Sequence, residues 1–165
     1  MKTIEIEIAV MEYFGIRQNI IVPNVYWGIN GLDYECDLIR LTKNNYATEI
    51  EIKVSKYDLK KDKEKLHNHG SSLFRYLYFA VPAELSEFAL SEIPEKAGLL
   101  SVEKRKSQYS WEKLPFVYKV TEIKKPKVNK FSRRWSDEER CKLLRLGTMR
   151  ILGLKKMIVK NEIGL

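Results

Sequence analysis

An α/β fold follows from three observations: strand-length apolar runs rich in β-branched residues, helix-start signatures between them, and turn residues at the joints. The runs are Tyr34 to Leu41, Tyr46 to Val54 and Tyr76 to Val81. The signatures are Ser55 with Asp58 and Ser136 with Glu139, each a hydroxyl residue followed three positions later by an acid. The 165 residues, 44% of them apolar, suffice for one domain with a full hydrophobic core and argue against disorder.

The first segment, residues 3–14, fits a strand through Ile4, Ile6 and Ile8 or a helix through Ile4, Ile8 and Met11. Its length and its arrival at Gly15, a natural stop, favour the helix. Asn19 to Gly28 reads as a strand, with Pro23 marking a bulge or an edge. Gly28-Ile29-Asn30-Gly31 is a turn, Tyr34 to Leu41 a strand, Lys43-Asn44-Asn45 a hairpin-like turn, and Tyr46 to Val54 the next strand. The Ser55 signature opens a charged helix from Lys56 to about His67. Tyr76 to Val81 is a fully apolar strand stopped by Pro82. Leu85, Phe88, Ala89 and Ile93 fall at helical spacing before Pro94, and short strands follow at Leu99 to Val102 and Phe116 to Ile123. Lys124-Lys125-Pro126-Lys127 reads as a linker, and the Ser136 signature opens an amphipathic helix expected to end near Leu152, before Gly153. The chain thus divides into a core, residues 1–123, and a basic linker and C-terminal helix, residues 124–165.

Charge follows the same division. Lys124 to Lys160 holds thirteen Lys or Arg against three acids, whereas the first 123 residues are nearly balanced, so the net +8 is a C-terminal property. Such asymmetry points to a polyanionic partner, nucleic acid before anionic membrane, with a merely solvated tail as the alternative. No apolar run approaches the roughly 20 residues of a membrane span, and the N-terminus is too acidic for a signal peptide. A soluble, cytoplasmic protein is expected. Cys36 and Cys141 stand far apart without a Cys/His cluster, indicating neither a disulfide framework nor a zinc site.

The chemistry concentrates between Asp37 and Lys53. On a strand, Glu51 and Lys53 project to one side and Ile52 to the other. If the two runs pair, Asp37 sits beside Glu51, and two carboxylates at one point bind a hard cation such as Mg²⁺. Lys53 then offers positive charge to a pentavalent phosphorus centre or orients the nucleophile. Acid-x-Lys tripeptides are common in lysine-rich chains. Here they stand inside apolar strands, where an acid is costly unless something compensates it.

The blocks Glu35-Cys36-Asp37-Leu38, Glu49-Ile50-Glu51-Ile52-Lys53-Val54-Ser55, Asp58-Leu59-Lys60-Lys61-Asp62 and Tyr78-Phe79-Ala80-Val81-Pro82, with Gly98-Leu99-Leu100 behind, carry a resemblance. In this order the chain resembles the PD-(D/E)xK nuclease superfamily over roughly residues 1–102, and more narrowly the MmcB-like group ascribed to DNA repair. The resemblance implies a restriction-endonuclease-like core, a mixed central sheet flanked by helices, with Asp37, Glu51 and Lys53 in the catalytic and metal-site roles. It also implies a carboxylate from the first helix, for which Glu5 and Glu12 are candidates and Glu12 is preferred. Glu49 shares the face of Glu51, but Glu51 alone stands two before the lysine.

The expected activity is that of a Mg²⁺- or Mn²⁺-dependent DNA endonuclease of repair type, with RNA left open and a homodimer implied for cutting two strands. The rivals are a catalytically silent nucleic-acid-binding module of the same fold and a scaffold domain with a basic tail. Lys60, Arg133, Arg134, Lys142 and Arg145 are the candidate phosphate contacts, and a structure- or end-directed substrate is expected, since nothing resembles a base-reading helix-turn-helix. Trp111 and Trp135, in basic surroundings, are candidates for base stacking, with a packing role as the default. His67 and His69 read as a solvated helix end, with a phosphate role for His67 as the minor alternative.

Overall fold

The computed structural model describes residues 1–64, 71–107 and 115–162, so His67, His69 and Trp111 lie outside the described residues. Helix α1 (Thr3–Phe14) leads into β1 (Ile20–Val25), β2 (Cys36–Leu41) and β3 (Ala47–Ile52). Helix α2 (Lys56–Glu64), β4 (Phe74–Pro82), a single 3₁₀ turn, α3 (Ser86–Glu92), β5 (Gly98–Lys106), β6 (Phe116–Lys124) and α4 (Asp137–Glu162) follow. The six strands form one sheet in sequence order. β3, β4 and β5 run parallel, and the remaining pairs are antiparallel. The architecture is α/β, a mixed sheet flanked by helices.

Alternation of side chains along the strands builds the layers. Leu38, Ile50, Ile52, Ala80, Leu100 and Val102 face Ile6, Ala9 and Val10 of α1. On the opposite face, Leu77, Phe79, Val81 and Leu99 pack with Leu59 of α2 and Ala89 of α3. Ile39, Leu41 and Ala47 on that face meet Leu143 of α4 and Trp135. Gly15 ends α1 in the left-handed conformation (φ 74°), its N–H donating to Met11 and Glu12 carbonyls. Both capping signatures form: the Asp58 N–H donates to Ser55 Oγ, and the Glu139 N–H to Ser136 Oγ, while Glu139 accepts from the Ser136 N–H.

The basic segment after β6 is not a free linker. The N–H groups of Lys127, Asn129, Arg133 and Trp135 donate to the carbonyls of Lys96, Arg75, Ser72 and Asn45 at 2.8–2.9 Å. The segment thus crosses the starting ends of β5, β4 and β3 as a strap. A Cβ at Gly98 would stand 2.7 Å from the Tyr78 ring and 2.9 Å from Pro126, which shows how closely the strap is drawn in. Beyond it, α4 climbs along β1: a Cβ at Gly147 would lie 3.4 Å from Val22.

The largest boundary differences from the sequence expectation are at β5 and α4. β5 extends through Lys106 because its exposed, charged second half has no apolar alternation to read, yet pairs with β6 from Glu103↔Lys119 to Lys106↔Phe116. Helix α4 passes Gly153 and continues to Glu162. A helical glycine costs only about 1 kcal/mol relative to alanine, and good helix formers surround this one. Among the described residues, no helix is long and apolar enough to cross a membrane.

Candidate functional site

β2 and β3 pair from Leu41↔Ala47 to Leu38↔Ile50 and then part. At the parting, Asp37 Oδ2 accepts the Ile52 N–H at 2.7 Å, where the neighbouring backbone would otherwise supply a carbonyl. The carboxylate therefore sits at the end of the ladder, between the two faces of the sheet. On β3, Glu49 and Glu51 alternate with Ile50 and Ile52, which belong to the α1 side, so both acids point to the face of α2, α3 and α4. The Lys53 N–H donates to the Ala80 carbonyl at 3.0 Å, carrying the parallel β3–β4 pairing one residue further. Its Nζ donates to Glu51 Oε2 at 2.7 Å.

The electrostatics follow from burial. Glu51 and Lys53 are 6% and 7% exposed. Burial pushes the Glu51 carboxyl up to about 7, the Lys53 ammonium opposes that rise, and the charges of Asp37 and Glu49 add to it. Asp37, Glu51 and Lys53 thus meet at the finishing end of β3. Glu49 is placed differently. It is fully buried and accepts from Cys36 Sγ at 3.9 Å, and its charge acts on the Tyr34 phenol. Burial first, and then this carboxylate, push the Tyr34 phenol and the Cys36 thiol up. Glu49 anchors an inner polar cluster, and Glu51 is the slightly less buried of the two acids.

The three acids of α1 face different neighbours. Glu12 is exposed and acts on Tyr118. Glu5 is held by Lys104 at 2.5 Å and by Tyr118 at 3.3 Å, and its carboxyl lies well below the usual range. Glu7 is the helix acid that senses Asp37: burial pushes its carboxyl up, the Asp37 charge adds to this, and Arg150 opposes it. A sequence signal for it exists, because Val10, Met11 and Phe14 stand three, four and seven residues after Glu7, marking its side of the helix as inward.

The candidate phosphate contacts are dispersed. Arg133 makes a two-pronged bridge to Glu139 at 2.8 and 2.6 Å, fastening the start of α4. Arg134 lies 5.4 Å from the centre of the Tyr46 ring, and Lys60 is 5.9 Å from that of Phe88. Lys142 pairs with Glu138 at 2.9 Å. Lys142 and Arg145 line a recess of about 300 Å³ with Trp27, Leu146 and Met149. An adjoining recess of about 180 Å³ is bounded by Tyr26, Trp27 and Arg150. Arg150 donates to the Asn24 carbonyl and lies 5.9 Å from the Tyr26 ring centre. Trp135 does not offer its ring to a base: it is 2% exposed, packs on Phe74, and donates from Nε1 to the Leu73 carbonyl at 2.9 Å. Among the described residues, the exposed tryptophan beside basic residues is Trp27, at 47%.

Among the described residues, no group of three or more His, Cys, Asp and Glu side chains is disposed to hold a metal ion. No family model matches the chain, and no curated protein matches it. A solved structure is similar to it: the SPO1766 protein of unknown function from Silicibacter pomeroyi, with a TM-score of 0.60 and 14% identity, over 98% of this chain and 94% of that one. At that identity the likeness speaks to the fold alone.

Proposed function

We propose that the chain is a Mg²⁺- or Mn²⁺-dependent nuclease with a restriction-endonuclease-like core, hydrolysing phosphodiester bonds in DNA. The observation that carries this reading is the buried Glu51–Lys53 pair beside Asp37 at the finishing end of β3. The donor set suits Mg²⁺, which keeps several waters and takes only one or two protein carboxylates, so no closed protein cage is required. Asp37 and Glu51 would hold the ion. When bound, it would supply Lewis acidity toward the phosphate and a more acidic water. The Ile52 N–H fixes one Asp37 oxygen and so orients the carboxylate. Lys53, anchored through its backbone to Ala80, holds a positive charge where the phosphate would gain negative charge. Glu7 backs Asp37 from the helix side. Arg145 and Arg150, with Lys155, Lys156 and Lys160 on the exposed end of α4, extend positive charge past this end of the sheet.

The second reading, a catalytically silent nucleic-acid-binding module, is favoured by the same salt bridge seen another way: Lys53 neutralises a buried acid and has no further task. Titration calorimetry with Mg²⁺ and Mn²⁺, alongside cleavage of a panel of single-stranded, duplex and branched DNA, separates the two. The nuclease binds the ion and cuts, and Asp37→Asn loses both. Absence of metal binding in the folded parent would establish the silent module instead.

A further inference from the structure

The end of the sheet opposite the acids carries a second basic surface. From Ala47 to Lys53 is six steps of roughly 3.3 Å, so the strap lies about 20 Å from the Glu51–Lys53 pair. Here a recess of about 400 Å³ opens between β4 and the strap, bounded by Arg75, Tyr76, Lys96, Lys127, Lys130 and Phe131. Beside it, the Arg75 guanidinium lies 4.1 Å from the centre of the Tyr46 ring, with Arg134 at 5.4 Å from the same ring. Phe131 is 87% exposed, more than any other large hydrophobic residue described.

That ring is held in water by a built turn. The Phe131 N–H donates to Asn129 Oδ1 and the Ser132 N–H to the Asn129 carbonyl, both at 3.1 Å. The Asn129 side-chain amide is itself bonded to the carbonyls of Ser71 and Phe74 at 3.1 and 3.0 Å. A rigid turn presenting an aromatic face beside a cation-lined recess has the two features that hold an unpaired strand: a surface for a base and charges for the neighbouring phosphates. We propose that this recess and Phe131 form a binding site for single-stranded nucleic acid, separate from the acid cluster, with Phe131 stacking on a base and Lys96, Lys130 and Arg75 meeting the phosphates. An anionic membrane would also attract lysines around an exposed phenylalanine. The cations here line a concavity, which suits a narrow strand better than a flat lipid surface.

The test is fluorescence anisotropy of a labelled twelve-nucleotide oligothymidine in EDTA, where metal-dependent cleavage is silent, with the full chain and its variants. Phe131→Ala should weaken binding roughly fivefold to a hundredfold, and Phe131→Trp should retain it. Lys96→Gln with Lys130→Gln should flatten the log-log salt slope by about 1.4, at roughly 0.7 per single-strand phosphate contact. The matching duplex should be indifferent to Phe131. Parent-like binding of the oligonucleotide by both variants would overturn the proposal. Phe131-dependent capture by phosphatidylserine vesicles without capture of the oligonucleotide would overturn it too, in favour of a membrane. Asp37→Asn should bind the oligonucleotide as the parent does, whether or not it alters cleavage, so failure of the nuclease reading leaves this result intact. Loss of binding in folded Asp37→Asn would show that the two ends are one site and end the claim of separateness.

Discussion

Lys53 Nζ lies 2.7 Å from Glu51 Oε2, and the two side chains are only 9% and 8% exposed. Two charges withdrawn from water at this distance depend on each other, since removing one leaves the other buried without its counter-charge. Desolvation wins on balance at Glu51, whose carboxyl rises to about 7 despite the ammonium beside it. The pair sits where Asp37 caps the parting strands, so folding energetics and the proposed chemistry meet at the same atoms.

The first consequence concerns pH. A carboxyl raised in the fold, from 4.5 to about 7, binds more protons folded than unfolded across that interval. Its stabilising contribution is therefore present below pH 4.5 and is lost as pH rises toward 7. Across that window Glu51 should remove up to roughly 3 kcal/mol of stability, at about 1.4 kcal/mol for each pH unit crossed. Urea denaturation at pH 5 and pH 7.5 should show this loss in the parent and a smaller one in Glu51→Gln. Saturating Mg²⁺ should restore stability more at pH 7.5 than at pH 5, because the ion binds the ionised form.

Lys53→Met tests the partner. At pH 8 it should cost roughly 3 kcal/mol, as breaking a buried pair leaves an uncompensated charge. At pH 5, where Glu51 is largely neutral, the cost should be close to zero. Cleavage should be lost at both pH values under the proposed role, and addition of Glu51→Gln should recover the stability without recovering cleavage. Equal destabilisation at pH 5 and pH 8 would show that the lysine stem packs rather than pairs.

Glu7 is the acid to compare with Glu12. Glu7 is affected by Asp37 and Arg150, whereas Glu12 is exposed and acts on Tyr118. Glu7→Gln should weaken Mg²⁺ binding roughly tenfold, the lower range for a residue supporting a ligand, while Glu12→Gln leaves it unchanged. Calorimetric titration reads this directly, and identical Mg²⁺ affinities for the two variants would remove Glu7 from the site.

The sequence displays the centre of the fold well and its periphery less well, for physical reasons. Glu51-Ile52-Lys53 and the two capping signatures are local patterns: alternation fixes which side chains share a face, and a hydroxyl three residues before an acid closes a helix start on itself. Trp135 invites a stacking role because its neighbours Arg133, Arg134 and Asp137 are polar, while the ring takes the default packing role against Phe74, far away in the chain. Glu7 escapes notice because Glu5 and Glu12 share a helix face that points to Lys104 and Tyr118, a neighbourhood that arises only when β5 and β6 join the sheet. The strap reads as a linker because its hydrogen bonds go to β4, β5 and the turn before β3, and no local pattern records them.

Arg133 and Arg145 look equivalent in the sequence, as basic residues flanking or within the last helix, and the structure separates them. Arg133 is committed to a two-pronged bridge with Glu139, which also accepts the Ser136 N–H that caps α4. Arg145 is exposed and borders the recess with Trp27. Arg133→Gln should therefore act on the fold: a charge-assisted contact at a helix cap is worth about 1–2 kcal/mol, seen as a lower denaturation midpoint. Its salt dependence for duplex DNA should match the parent's. Arg145→Gln should leave the midpoint unchanged within about 0.5 kcal/mol and flatten the log-log salt slope by about 0.9, the value of one duplex phosphate contact. The reverse pattern, with Arg133→Gln flattening the slope and Arg145→Gln lowering the midpoint, would mean that DNA opens the Arg133–Glu139 bridge and that the proposed phosphate track runs along the strap instead of α4.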